Sequence, residues 1–276
     1  MDFENVLTLV QKELRDAFRN RWFLLYAIAF AALSMALAWF SVSGAGSFGV
    51  AGFGRTTAGL INLILLIVPL MGLTLGAMGL AGEREKGTLI YLLAQPISSA
   101  ELLLGKFIGL AVALTVALVI GFGLTGLLMV LSGSGGDFQV YLTLLVLSVL
   151  LALASLSIGF LISAATKKAA TAVGLALFLW LILVYFGDLG LMGTAVVMRI
   201  DVEQLLALAL INPLQVFKIA AVLDLRDNLE ILGPAGIYAF RTYGGGLWPM
   251  LVGILLIWVV APFILATRVF KKRGVL

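Results

Sequence analysis

The sequence contains neither cysteine nor histidine. Disulfides are thereby excluded, and so are metal sites built on Cys or His ligands. Charge is scarce: 12% of the 276 residues are Asp, Glu, Lys or Arg, against about 25% in a soluble domain. There is no G-x-x-x-x-G-K-[ST] phosphate loop, no H-E-x-x-H and no G-x-S-x-G elbow. The cores of the apolar runs hold no Asp, Glu, Lys or Arg, the groups on which ion-coupled transporters rely near the midplane. As an enzyme the chain looks empty, and nothing in it suggests a bound cofactor or a nucleic-acid partner.

What is present is hydrophobic, 62% of the chain. Predominantly apolar runs long enough to cross a hydrocarbon core roughly 30 Å thick lie at about 22–43, 57–81, 98–132 (apolar from 103, apart from Lys106), 138–165, 170–187 and 247–269. They lack the alternation of barrel strands, so helices are expected. The fold class is therefore an all-α integral membrane protein with six transmembrane helices, the fifth the shortest. Thirteen of the eighteen cations fall on one face of that arrangement: Lys12, Arg15, Arg19, Arg21, Arg84, Lys86, Lys106, Lys167, Lys168, Arg268, Lys271, Lys272 and Arg273. The positive-inside rule puts both termini in the cytoplasm, with 270–276 as a cytoplasmic tail. The first span is not a cleaved signal peptide in this reading, because the charged region before it is too long and too helical.

Residues 1–21 place Phe3, Val6, Leu7, Val10, Leu14 and Phe18 on one stripe with charges opposite. That pattern predicts an amphipathic helix along the cytoplasmic surface, with Lys12, Glu13, Arg15 and Arg19 available to a partner. Glycines recur at small-xxx-small spacing in the second and third spans (Gly72 and Gly76, Gly105 and Gly109), a pattern that lets helices approach closely in lipid. Residues 188–246 form one long outer segment. Two amphipathic helices are expected in it, the second starting at Asn212 as N-cap with Pro213 in first position and Gln215 closing a capping box. Such helices lie on the outer leaflet or plug the mouth of a pathway. Met198, Glu203, Asn212, Pro213, Phe217 and Lys218 are the candidate contacts for a periplasmic partner.

The stretch between spans two and three, GEREKGTLIYLLAQPISSAELLLGK (82–106), carries six charges amid apolar flanks. Gly82 is expected to end the second span, and Glu83 to Ala94 to form a short helix with its acids at the positive N-terminus. Pro96 stops it within the 82–97 elbow. Ser98 and Glu101 then form a capping box, with Ile97 and Leu102 as staple, and run the chain into the third span. A capped rod transmits force where a loose loop does not, so a cytoplasmic partner is expected to grip it.

At this stretch the chain resembles ABC-2 type transporter permeases, whose E-x-E-x-G-T segment and coupling helix match Glu83 to Thr88 and the residues after it. QKELRDAFRNRWFLLY is similar to the segment that opens that family's connecting helix, and the resemblance covers essentially the whole chain. It implies a multi-pass permease of the bacterial inner membrane that forms a homodimer. It also implies a separate ATP-binding-cassette ATPase dimer, which holds the ATP and Mg and grips each coupling helix. Glu83, Arg84, Glu85, Lys86, Gly87, Thr88, Leu89 and Tyr91 would then be the coupling residues, with the acids as charged handles.

Substrate is less legible. The soft ligands left are thioethers, and Met71 and Met78 lie seven apart on one helix face, a spacing that suits Cu(I). Methionine is more often core filler. A sulfur species, or force transmitted to a periplasmic protein, fits the bare interior as well. An ABC-2 exporter of a lipid, drug or polysaccharide is the alternative, with an ion-coupled secondary transporter behind it.

Overall fold

The computed structural model describes residues 3–44, 49–95, 97–131, 138–185, 187, 201–224 and 233–273. Met198 and Pro96, to which the sequence assigned roles, lie outside the described residues. The helices are α1 (Phe3–Arg19), α2 (Arg21–Gly44), α3 (Gly49–Glu85), α4 (Thr88–Leu93), α5 (Ser99–Leu131), α6 (Phe138–Ala165), α7 (Ala169–Tyr185), α8 (Val202–Ile211), α9 (Pro213–Asp224), α10 (Gly233–Tyr243) and α11 (Leu247–Arg273). No strand occurs among the described residues. Among the described residues, five helical segments are long and apolar enough to cross a membrane, the last being Ile237–Lys272; α7, at 17 residues, is a shorter apolar helix.

The α3–α6 pair is the most intimate contact, and glycine makes it so. A Cβ on Gly76 would stand 2.4 Å from the Leu156 carbonyl oxygen, one on Gly72 2.7 Å from that of Ala152, and one on Gly159 2.5 Å from that of Leu73. Backbones thus touch backbones, the approach that dispersion rewards in lipid where no hydrophobic force draws helices together. Lower down, Ser163 of α6 inserts its hydroxyl into the α3 ladder. It donates to the Ala77 carbonyl (2.7 Å) and accepts from the Leu80 and Ala81 amides (3.0 and 2.8 Å). Phe107, Phe160 and Phe263 join α5, α6 and α11, with ring centroids 4.6–6.3 Å apart.

In the outer segment α8 buries the expected stripe of Leu205, Leu206 and Ala209, whereas α9 departs from the amphipathic expectation. α8 and α9 meet at 111°, and α9 is buried nearly all round rather than on one stripe: Ile219, Ala221 and Val222 are buried along with Val216, Phe217 and Ala220. The reason is its location, for α9 packs against α6, α11 and α3 at once. Asn212 makes the bend. Its Oδ1 accepts from the Leu214 amide (3.0 Å) while its amide nitrogen donates to the Leu183 carbonyl (2.7 Å), so α9 starts tied to the end of α7.

Candidate functional site

The elbow is built differently from its sequence expectation, and the difference lies in Gly87. α3 does not stop at Gly82 but runs through Glu85. The helix breaks at Gly87, whose φ of +72° is a left-handed conformation that a Cβ disfavours. Only Thr88–Leu93 form the short helix α4. Glu83 and Glu85 therefore sit at the C-terminal, negative end of α3, the reverse of the favourable dipole placement expected for them. What compensates them is direct pairing.

Glu83 Oε1 lies 2.8 Å from Lys106 Nζ and 3.1 Å from Lys12 Nζ. Glu13 Oε1 lies 2.7 Å from Lys106 Nζ and 3.0 Å from Lys12 Nζ. Two cations from α1 and α5 thus hold two carboxylates from α1 and α3. The Lys106 side chain is 1% exposed, that of Glu13 8% and that of Glu83 17%. Ions this far from water are tolerated only because each has an opposite charge at hydrogen-bond distance. The other Glu83 oxygen, Oε2, is buried with no hydrogen-bond partner among the described residues, so this carboxylate is only half satisfied. Partial burial works against the Lys12 ammonium, but Glu13 and Glu83 outweigh it and raise its pKa above the ordinary lysine value.

Each of the neighbouring residues makes its own tie. Arg84 donates to the Thr166 carbonyl at the end of α6. Glu85 accepts from the Ala169 amide at the start of α7 (2.8 Å), placing a carboxylate at the positive end of that helix. The Thr88 hydroxyl donates to the Glu83 carbonyl (3.2 Å), and Leu89 is fully buried beneath α4. The capping box is formed: the Ser98 amide donates to Glu101 Oε2 (2.8 Å) and the Glu101 amide to Ser98 Oγ (3.2 Å). Outward the elbow presents Lys86, Ile90 and Tyr91, the last 77% exposed.

Two expectations are thereby corrected. Glu83 is an internal tie rather than an exposed handle, because Lys106 and Lys12 occupy it. Nor is every charge of α1 on its solvent face: Leu9, Glu13 and Ala17 form its buried line against α5, while Phe3 and Leu7 point outward. Glycine again sets the distance, since a Cβ on Gly105 would meet Leu9 Cβ at 2.6 Å and one on Gly109 would meet Glu13 Cβ at 2.6 Å. Lys12, Arg15 and Arg19 remain exposed.

Sequence reasoning missed Lys106, Ser163 and Thr166 as parts of the site. Lys106 was the traceable one: a lone cation between Gly105 and Gly109, where a second helix approaches, needs a buried partner. Of the outer candidates, Glu203 is exposed and Lys218 half-buried. Pro213 and Phe217 are buried in this chain's own core and hold the hairpin rather than facing outward. Met71 lies in the main apolar cluster and Met78 is half-buried.

Residues 7–275 match the family model described as "ABC-2 family transporter protein". The chain is 30% identical over 275 residues to a protein of Stutzerimonas stutzeri named "Probable ABC transporter permease protein NosY", covering 97% of this chain and 98% of that one. It is also 30% identical over a 286-residue alignment to the protein of the same name in Pseudomonas aeruginosa, covering 98% and 99%.

Proposed function

Given that this chain belongs to the ABC-2 family of transporter proteins, as a multi-pass permease subunit, we propose that its elbow receives force from a separate NosF-like ATPase dimer and passes it into the membrane. ATP and Mg reside in that ATPase. The permease acts as a homodimer in the bacterial inner membrane, with α2, α3, α5, α6, α7 and α11 as its six spans and both ends in the cytoplasm. Its work serves copper-site assembly of nitrous-oxide reductase. It either exports a sulfur or copper species, or moves a NosD-like periplasmic protein seated on the outer helices.

The observation that carries this reading is the paired charge at Glu13, Lys106 and Glu83. A push on α4 reaches Glu83 through Thr88, then α5 through Lys106 and α1 through Glu13 and Lys12. Arg84 and Glu85 carry it to α6 and α7. Five helices thus share one joint, as a permease needs if a small cytoplasmic displacement is to reorganise the bundle. The copper-assembly role is this reading's own extension of the likeness to relatives whose name states only an ABC transporter permease, NosY. Met71, packed in the apolar cluster, favours a sulfur species or force transmission over copper ligation at that position.

Co-expression with the cognate ATPase tests the reading. Ile90→Ala with Tyr91→Ala should lower ATPase co-purification about tenfold without loss of folded permease. Undiminished co-purification would remove α4 as the contact. Lys106→Met should retain the ATPase yet abolish the stimulation of its turnover by the permease.

A further inference from the structure

Along the contact line of α2 and α5 runs an apolar groove of about 780 Å³, large enough to hold a ligand of drug size. Its walls include Phe23, Ala27, Ala31 and Met35 of α2 with Ala117 and Ile120 of α5, and Phe18 of α1 lies at one end. From Phe23 to Phe40 the groove follows α2 for roughly 26 Å at 1.5 Å per residue, close to the hydrocarbon thickness of roughly 30 Å. Alanine at 27, 31 and 117 keeps it open, while Ile28, Trp39 and Phe40 stand more than half exposed beside it.

At the cytoplasmic end the chemistry changes sign. Arg19 and Arg21 flank the wall residues Phe18 and Phe23 in sequence, and Arg15 lies one helical turn before Phe18. All three are exposed, and none pairs with a described carboxylate. Asp16, the nearest acid in sequence, is engaged by Lys12 at 3.4 Å. Trp22, 61% exposed and 6.4 Å from the Tyr26 ring, lies at the same level, where amphipathic aromatics favour a membrane interface.

We infer that this groove is a binding site for one anionic phospholipid of the cytoplasmic leaflet, its phosphate held by Arg15, Arg19 and Arg21 and an acyl chain lying against Ala27, Ala31 and Ala117. Charge decides against a second copy of this chain. A two-fold contact brings the same patch of both subunits together, so six unpaired guanidinium groups would crowd one end of the seam. A lipid phosphate neutralises them instead, and an acyl chain fills a wall that has almost nothing to hydrogen-bond.

The test is native mass spectrometry of the delipidated full-length chain titrated with palmitoyl-oleoyl-phosphatidylglycerol or palmitoyl-oleoyl-phosphatidylcholine. One phosphatidylglycerol per chain should be retained at least about tenfold more tightly than phosphatidylcholine. Arg15→Gln, Arg19→Gln and Arg21→Gln together should erase that preference, since each surface cation contributes on the order of fivefold. Ala31→Phe should expel the retained lipid whatever its headgroup. Should that variant fail to fold, Ala31→Cys blocked with an alkyl maleimide fills the same space, in a chain with no other cysteine. Equal retention of both lipids, insensitive to the arginines, means ordinary annular lipid and overturns the site. So does efficient cross-linking of Ala31→Cys between two chains in the membrane, which would make the groove a seam between copies.

Discussion

The ammonium of Lys106 stands 2.8 Å from Glu83 Oε1 and 2.7 Å from Glu13 Oε1, with almost no water on it. One buried cation on α5 thereby fastens the end of α3 to the N-terminal helix. Removing it leaves two poorly solvated carboxylates to the partly exposed Lys12. We expect Lys106→Met to destabilise the detergent-solubilised permease by about 3 kcal/mol, the lower range for breaking a buried pair. In a double-mutant cycle, Lys106→Met and Glu83→Gln together should cost clearly less than the sum of the singles. Additivity within about 0.5 kcal/mol would show that the two do not interact.

Gly76 and Gly82 belong to one helix but have opposite surroundings. A Cβ at Gly76 would collide with the Leu156 carbonyl at 2.4 Å, whereas nothing lies within 4 Å of one at Gly82. Gly76→Ala should lower thermal stability, by about 3 kcal/mol for an overpacked contact against backbone. Gly82→Ala should be neutral or stabilising by about 0.5–1 kcal/mol through the reduced freedom of the unfolded chain. Thermal melts of the two variants side by side decide it, and equal destabilisation would contradict the close α3–α6 approach.

Gly87 turns the chain with φ +72°. Gly87→Ala should cost about 1 kcal/mol in that conformation, or else let α3 continue into α4 and swing Tyr91 away from its present direction. Either way, stimulation of the ATPase should fall by more than the loss of folded protein explains. Preserved stimulation at reduced stability would mean that the turn has no part in coupling.

The pKa of Lys12 is raised by Glu13 and Glu83. A cation whose folded pKa exceeds its unfolded value contributes stability that is complete below the unfolded pKa, near 10.5, and is lost as pH rises through the folded value. The stability difference between the wild type and Lys12→Gln should therefore stay flat from about pH 6 to 9 and shrink only above about 10.5. A difference that disappears already between pH 6 and 8 would implicate another titrating group.

Much of this protein is legible in its sequence. Long uncharged runs in a chain with few ions admit little but spanning helices, because unsatisfied backbone groups are too costly in lipid. The Ser98–Glu101 box and the Asn212–Pro213 helix start are local, involving residues a turn apart, and both formed where the sequence placed them. The boundary between α3 and α4 was misplaced because Gly82 and Gly87 look alike in sequence, and only the second adopts positive φ.

What the tertiary structure alone decided is where the charges went. Glu83 and Lys106 are 23 positions apart, and Glu13 is 93 from Lys106. Nothing in their spacing says that they meet. Gly105 and Gly109 let α1 approach α5 closely enough to bury Glu13, and burial obliged that carboxylate to find a cation. The same holds for α9, whose apolar residues suit a surface helix or a buried one until α3, α6 and α11 close around it. Periodicity and composition fix which segments enter the membrane; which faces touch depends on packing between residues distant in sequence, where a single missing side chain sets how near two helices can come.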